Sequence, residues 1–428
     1  MSLVVYSSSN LAGEVKAPPS KSYTHRAIIA SCLAQGDSLV ESPLLSDDTL
    51  ATIEACKRLG ADIQLSPGKM PIVGFAAFRQ NLCELNCRDS ASTLRFMIPV
   101  AALADGHISL TGNSGLLKRP VGPLLNALRD LKVECYSKDG YPPVHIQARS
   151  AIESGHTHLP GDISSQFITG LLLACPKARG DVSFELDSPL ESVPYVELTL
   201  RILYQHGIRV DITGDYSGFK IPAPQDYKPT THHVLGDFSS AAYMLVAAAI
   251  TDSRITIKNL QPNEAVPDRK VIDILEQMGT KVRLTHDSLT CEGANSLKGL
   301  VIDAKNNPDL IPPLTVAACF AEGETKIVNA ERLRIKESNR LATLTGELTK
   351  MQATIQQSKD GLIIQGRQRL FGADIDSHND HRIAMACAIA ALRAEGRTRI
   401  SQIDCVRKSY PDFLLDMQRI GAQIHHAW

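Results

Sequence analysis

Residues 57–65 read KRLGADIQL: the end of a helical pattern, an apolar residue, a glycine, then strand alternation. A glycine just past the last turn takes the left-handed conformation that stops a helix. The A-x-I spacing after it starts a half-buried strand. The same reading recurs in RDLKVECY at Lys132, YQHGIRVDI at Gly207, EQMGTKVRL at Gly279, TKMQATIQQ at Gln352 and QRIGAQIHH at Gly421. The interval is roughly 70–75 residues, longer than a solenoid repeat and regular enough to mark a reused α/β unit. Lys132 and Gln352 stand where the other copies have glycine, which predicts local strain or a different cap there. Six units in 428 residues divide as three plus three. A single core rarely grows past about 250–300 residues, so two similar α/β domains are expected.

Composition narrows the function classes. Lys and Arg number 45 against 46 Asp and Glu, a net charge of −1, so global charge argues for neither nucleic acid nor a membrane surface. An anion site, if present, has to be local. Most of the ten cysteines sit in apolar runs, such as Cys175 in GLLLACP and Cys319 in TVAACFA, and read as small core hydrophobes of a reducing compartment. Cys83 and Cys87 form the one close pair, and no partner pair follows at zinc spacing, so no metal is expected. The opening MSLVVYSSSN lacks a charged n-region and a long apolar h-region, which predicts no signal peptide and a cytoplasmic enzyme. The longest apolar runs, such as Ala241 to Ile250, are too short to span a bilayer.

Local cationic clusters do occur, each beside Ser, Asn or Pro. The densest is Asn329 to Leu341, NAERLRIKESNRL. Its core of Arg332, Arg334, Lys336, Glu337 and Arg340 sets four cations against one carboxylate over about two and a half helical turns. Such a density calls for further anions. In KAPPSKSYTHR, Ser20 is placed to cap a helix beginning near Lys21, which puts Lys21, Ser22 and Arg26 on the first turns, where free N–H groups and the dipole favour an anion. The Gly-rich part of a Walker loop is missing. Leu45 to Asp48 reads as a mainly structural cap. NCRDSASTLR, Asn86 to Arg95, offers small residues at a helix start, and Arg119 follows a Gly-rich loop. Ser164, Ser165 and Gln166, then Ser192 and Tyr195, read as caps able to donate into a cleft. Further on come Asp309, the pair His378 and His381 with Arg382, and Lys408. The two histidines are expected to be hydrogen-bonded, since no third metal ligand is evident. Cations from both halves, with Asp309 and Glu337 among them, suit a ligand or ligand pair bearing several negative charges and supply acid–base groups. The residues thus predict a two-domain transferase acting on small phosphorylated acids.

KAPPSKSYTHRA, SDD, LKRPVG, GDISSQF, RLRIKESNRL, HNDHRIAMA and KSYPDF, in this order, resemble the EPSP synthase family of enolpyruvyl transferases over essentially the whole chain. The resemblance implies two domains, each of three βαβαββ units as an inside-out α/β barrel: residues 15–230, and residues 1–14 plus 231–428, with the active site in the cleft between them. It implies that the enolpyruvyl group of phosphoenolpyruvate passes to the 5-hydroxyl of shikimate 3-phosphate, releasing phosphate, without a metal or organic cofactor. By motif position, Lys21, Ser22, Arg26, Ser164, Ser165, Gln166, Ser192, Asp309 and Lys336 would hold shikimate 3-phosphate. Lys21, Ala91, Arg119, Gln166, Arg340, Arg382 and Lys408 would hold phosphoenolpyruvate. Asp309 would be the base toward the 5-hydroxyl, Glu337 and Lys21 the proton-transfer groups at the methylene, and His381 a supporting residue. A monomer with small-molecule partners only is implied.

The chain departs from the family in Arg88 to Arg95, RDSASTLR, where members read close to GNSGTTxR. Asp89 replaces an Asn, and Ala91 a Gly that lies against phosphoenolpyruvate. An added methyl crowds a longer competitor more than the compact substrate, which predicts weaker inhibition by glyphosate. Arg332 stands where many members carry an uncharged polar contact to shikimate 3-phosphate. Two rivals keep the scaffold. A UDP-N-acetylglucosamine enolpyruvyl transferase typically carries a reactive Cys in the loop that here, Thr111 to Gly122, has none. A non-catalytic phosphometabolite-binding protein would be expected to lose Asp309 or Glu337.

Overall fold

The sixfold helix-to-strand junction of the sequence is a conformational repeat in the computed structural model, which describes residues 1–75, 78, 83–261, 266–293, 296–366 and 369–427. Gly60, Lys132, Gly207, Gly279, Gln352 and Gly421 all adopt positive φ, between 64° and 116°. Lys132 and Gln352 enter the left-handed region at φ 64° and 66° despite their side chains. The expected alternatives of strain or another cap thus resolve as strain, at a cost of about 1–2 kcal/mol per residue.

Each junction leads from a helix into the edge strand of one four-stranded sheet. Among the described residues there are six four-stranded sheets of one topology: two parallel neighbours, then two antiparallel pairings. In one, Gly155–Leu159 runs parallel to Val182–Leu186, which pairs antiparallel with Gly218–Ile221 and that with Asp211–Thr213. The chain divides into two compact units, Met1–Pro19 with Leu235–Trp428, and Ser20–Val234. The first is discontinuous. Its strand Ser2–Tyr6 lies between Arg397–Ser401 and Ile424–Ala427, antiparallel to both, with Leu3 and Val5 fully buried. Its strand Ala12–Lys16 pairs in parallel with Arg254–Lys258.

Helices occupy the interior. Phe238–Ile250, Ile311–Cys319 and His381–Ala391 are buried along their whole length and pack on one another. Their sequences are apolar on every face, so only a surrounding of protein suits them. The sheets lie outside and keep one face toward solvent, as the strict alternation of Tyr141–Arg149 shows. The second unit repeats the plan with Lys21–Leu33, Ala91–Ala101 and Ser165–Ala174 inside. Each unit has its own apolar core. Among the described residues no helix is long and apolar enough to cross a membrane.

Candidate active site

Three buried helices in one unit begin beside one another, and their N-termini build the first cluster. Asp237 caps Phe238–Ile250, Asp309 lies in the 3-10 turn Pro308–Leu310 ahead of Ile311–Cys319, and Asp380 caps His381–Ala391. Arg382 joins them: its NH2 donates to Ser239 Oγ at 3.1 Å and to Asp309 Oδ2 at 2.9 Å. The positive ends of three helix dipoles gather here, which favours negative charge.

Arg340, 1% exposed, is the hub of this cluster. Its guanidinium donates to Asp309 Oδ1 at 3.0 Å, to Glu337 Oε2 at 2.5 Å and to Asp380 Oδ2 at 2.9 Å. Asp380 is fully buried and also accepts from Ser338 Oγ and from the Arg382 backbone N–H. Burial alone would lower the proton affinity of Arg340, yet the three carboxylates raise it above the ordinary arginine value. Burial alone would raise Asp309; Arg382, Arg340 and Lys336 outweigh it and hold the carboxyl well below the usual range. Burial pushes the Lys336 ammonium down to about 7, with Arg332 and Arg340 adding to the push and Asp309 opposing it.

The dense cationic stretch therefore differs from its sequence reading. It is not one helix. A 3-10 turn covers Glu331–Ile335, the backbone is extended at Lys336, and a new helix, Arg340–Lys350, starts under an Asn339 cap. The Asn339 side-chain Oδ1 accepts from the Ala342 N–H at 3.2 Å, a local bond that competes with continuing the earlier turn. Its cations also disperse: Arg334 donates to Gln357 and Ser358, and Arg332 to the Lys305 carbonyl. Nor is Glu337 the lone counter-charge, because Asp309 and Asp380 supply two more. Asp380 is the residue sequence reasoning passed over. Its signal was present, an Asp one residue before an apolar helix and thus at an N-cap position.

His381 is buried with Nδ1 3.8 Å from Asp380 Oδ1, and His378 Nε2 lies 2.9 Å from Glu347. Lys408, also buried, donates from Nζ to the Asn379 carbonyl at 2.8 Å.

The other unit repeats the device. Ser20 caps Lys21–Leu33, accepting from the Tyr23 N–H at 3.3 Å, and Lys21 pairs with Asp48 at 2.9 Å. The cap of the helix Asp47–Leu59 is Ser46, and Asp48, in its first turn, is an ion-pair partner rather than a purely structural residue. Arg26 is buried and spends its donors on Thr199, Thr169 and the carbonyls of Ser22 and Tyr195. Burial draws its guanidinium down to about 9. Arg95 bonds Ser164 Oγ at 3.2 Å, Gln166 Oε1 at 2.8 Å and the Pro120 carbonyl at 3.1 Å, and Gln166 in turn donates to Ser92 at 2.9 Å. Ser165 is buried at the first turn of its helix. Ser192 is buried too and sits at φ 59°, a strained position for a side chain, which turns the chain into Val193–Gln205. Half-buried Ala91 opens Ala91–Ala101, and buried Arg119 follows the 3-10 turn Leu116–Lys118. Lys21, Ser22, Arg26, Ala91, Arg119, Ser164, Ser165, Gln166 and Ser192 thus fall in one unit. Asp309, Lys336, Glu337, Arg340, His381, Arg382 and Lys408 fall in the other.

Comparison with known proteins gives one answer. The profile of the family described as EPSP synthase (3-phosphoshikimate 1-carboxyvinyltransferase) matches residues 5–417. A 3-phosphoshikimate 1-carboxyvinyltransferase of Methanocaldococcus jannaschii is 41% identical over 428 residues, covering 99% of each chain. One of Methanocella arvoryzae is 43% identical over 422 residues, covering 98% of each. Among solved structures, an EPSP synthase from Acinetobacter baumannii superposes with a TM-score of 0.82 at 27% identity, covering 100% of both chains.

Proposed function

The chain belongs to the EPSP synthase (3-phosphoshikimate 1-carboxyvinyltransferase) family, and from that premise we infer how its residues perform the family's reaction. The protein is a 3-phosphoshikimate 1-carboxyvinyltransferase of the shikimate pathway to aromatic amino acids. The enolpyruvyl group of phosphoenolpyruvate passes to the 5-hydroxyl of shikimate 3-phosphate. A proton adds to the vinyl methylene, the hydroxyl oxygen attacks the resulting oxocarbenium-like carbon, and loss of a proton from the new methyl expels phosphate.

The observation that carries the assignment of roles is Arg340, which binds Asp309 and Glu337 with one guanidinium. Arg340, Arg382, Arg119, Lys408 and Lys21 take the anionic groups of phosphoenolpyruvate. Ser22, Arg26, Ser164, Ser165, Gln166, Ser192 and Lys336 serve shikimate 3-phosphate, Arg26 mainly by fixing the Ser22 carbonyl and the Tyr195 segment around it. Three cations, Arg340, Arg382 and Lys336, face three carboxylates, Asp309, Glu337 and Asp380, so the resting cluster is near neutral. Phosphoenolpyruvate then competes with Asp309 for Arg382 and Arg340. As it draws those charges away, burial raises the proton affinity of Asp309, and a resting carboxylate becomes a base toward the 5-hydroxyl. Glu337, with Lys21, exchanges the methylene proton. On this reading the enzyme works as a cytoplasmic monomer, which sedimentation at assay concentrations tests.

Phosphate release from the purified protein should require phosphoenolpyruvate and shikimate 3-phosphate together. Release with UDP-N-acetylglucosamine in place of the latter, or no release with either, would overturn the assignment. In the same assay Ala91→Gly should lower the glyphosate inhibition constant by about tenfold or more, with a smaller change in KM for phosphoenolpyruvate, because the methyl crowds the longer ligand selectively. An unchanged inhibition constant removes Ala91 from that contact.

Lys336 sets a pH limb. With a free-protein value of about 7, it is charged below that pH and neutral above it. Capture of the phosphorylated acid therefore weakens as pH rises through about 7. The kcat/KM for shikimate 3-phosphate, which reports free-enzyme groups, should fall by up to about tenfold per unit on that side. Lys336→Arg keeps its charge and should push the limb beyond pH ~9. A flat profile in the wild type would take Lys336 out of anion capture.

A further inference from the structure

The outer face of the second unit carries a histidine pair that the reaction does not use. Strand Gly155–Leu159 is an edge strand whose residues alternate: Thr157 and Leu159 point into the core, His156 and His158 into solvent. Period two puts both imidazoles on one face, and their Nε2 atoms lie 3.2 Å apart. The neighbouring strand Val182–Leu186 runs parallel, with Glu185 directly opposite His158. A ligand atom from each of His156, His158 and Glu185 lies within 4.8 Å of the others, the one such grouping among the described residues.

The remaining ring nitrogens each face an oxygen, as those of metal-ligating histidines usually do. His156 Nδ1 lies 2.9 Å from Ser183 Oγ, and His158 Nδ1 lies 3.4 Å from Asp187 Oδ1. A ligating histidine usually donates its other N–H to an oxygen, which fixes the tautomer and leaves the inner lone pair for the metal. With both Nδ1 atoms protonated, both Nε2 atoms carry lone pairs, and two lone pairs 3.2 Å apart repel unless a proton or a cation lies between them. At a Zn–N length of about 2.0–2.1 Å, the observed spacing subtends an N–Zn–N angle of roughly 99–106°, near tetrahedral.

We propose that His156, His158 and Glu185 form a divalent transition-metal site, with zinc as its natural class of ion. Two imidazoles and one carboxylate are a known zinc set that leaves the fourth position to water, whereas hard ions such as magnesium prefer all-oxygen sites. The ion ties an edge strand to its neighbour, and these two strands run on into Ser164–Gln166 and Ser192. The site does not depend on the assignment of catalytic roles above.

Calorimetric titration of the chelator-treated full chain with zinc sulfate tests it. One equivalent should bind with a dissociation constant on the order of micromolar or below. His156→Gln and His158→Gln should each weaken that binding by at least about tenfold, and Asp187→Asn by less. These side chains are exposed, so the variants should keep the wild-type circular dichroism spectrum and zinc-free phosphate release within about twofold. Zinc should also raise the unfolding midpoint of the wild type and leave that of His158→Gln unmoved. Absence of saturable binding would overturn the proposal and leave a plain histidine–histidine hydrogen bond. Binding that persists unchanged in both histidine variants would also overturn it, and would assign the ion to other ligands such as the thiols.

Discussion

Exchanging Arg340 for methionine is expected to cost about 3–5 kcal/mol of stability in the unit that holds it and to abolish measurable turnover. The side chain is 1% exposed and meets three carboxylates, of which Asp380 has no access to water. Methionine fills much of the space but leaves Asp380 charged in a site where its remaining hydrogen bonds, among the described residues, come from the Ser338 hydroxyl and the Arg382 N–H, with His381 Nδ1 3.8 Å away. That is the costly half of removing a buried pair, since the surviving ion keeps its desolvation penalty. A second change separates charge from packing: Asp380→Asn added to Arg340→Met should recover more than about 1 kcal/mol, because a neutral amide tolerates burial far better. Urea denaturation of the three proteins measures this. If the double variant is no more stable than Arg340→Met alone, the cluster does not stabilise the fold through charge compensation. Arg340→Lys should also fail in turnover, because one ammonium cannot reproduce a fork that reaches Asp309, Glu337 and Asp380 together.

Glu337→Gln should show the opposite profile. The amide oxygen can still accept from Arg340, so unfolding should shift by less than about 1 kcal/mol. An amide cannot take up and return a proton at the methylene, and loss of a positioned acid–base group lowers rates by about 10²–10⁴. The decrease should fall on kcat, with KM for both substrates changed by no more than about threefold, because the lost interaction belongs to the transition state. A kcat within tenfold of wild type would exclude Glu337 from proton transfer. A rise in KM with kcat intact would make it a binding residue.

Sequence legibility followed distance along the chain. The Ser20 cap and the six left-handed junctions are local, set within a few residues, and so could be read directly. Lys132 and Gln352 fit the period although neither prefers that backbone, because the repeat's packing overrides local preference. Pairing of Ser2–Tyr6 with strands some 400 residues away leaves no trace in composition or spacing. The site divides the same way. Motifs flagged Asp309, Glu337 and Arg340, but only tertiary packing joins them through one guanidinium. In sequence Asp48 reads as part of a cap because its partner, Lys21, comes from another helix. Arg332 and Arg334 read as part of a charge cluster because most of their acceptors are backbone carbonyls elsewhere, invisible as residue types.

The position of Ser2–Tyr6 between Arg397–Ser401 and Ile424–Ala427 bears on how the protein is made. Synthesis is directional, at about 5–20 residues per second, so this strand leaves the ribosome on the order of 20–80 s before its partners exist. The unit Ser20–Val234, one unbroken run, emerges whole during that wait. It is free to fold first, as a guest within a host whose two parts are still separated. Meanwhile Leu3 and Val5 belong to an unpaired apolar edge, the kind of segment that chaperones hold. Slower elongation through the codons for Arg397–Ser401 and Ile424–Ala427 lengthens that exposure without changing a single residue.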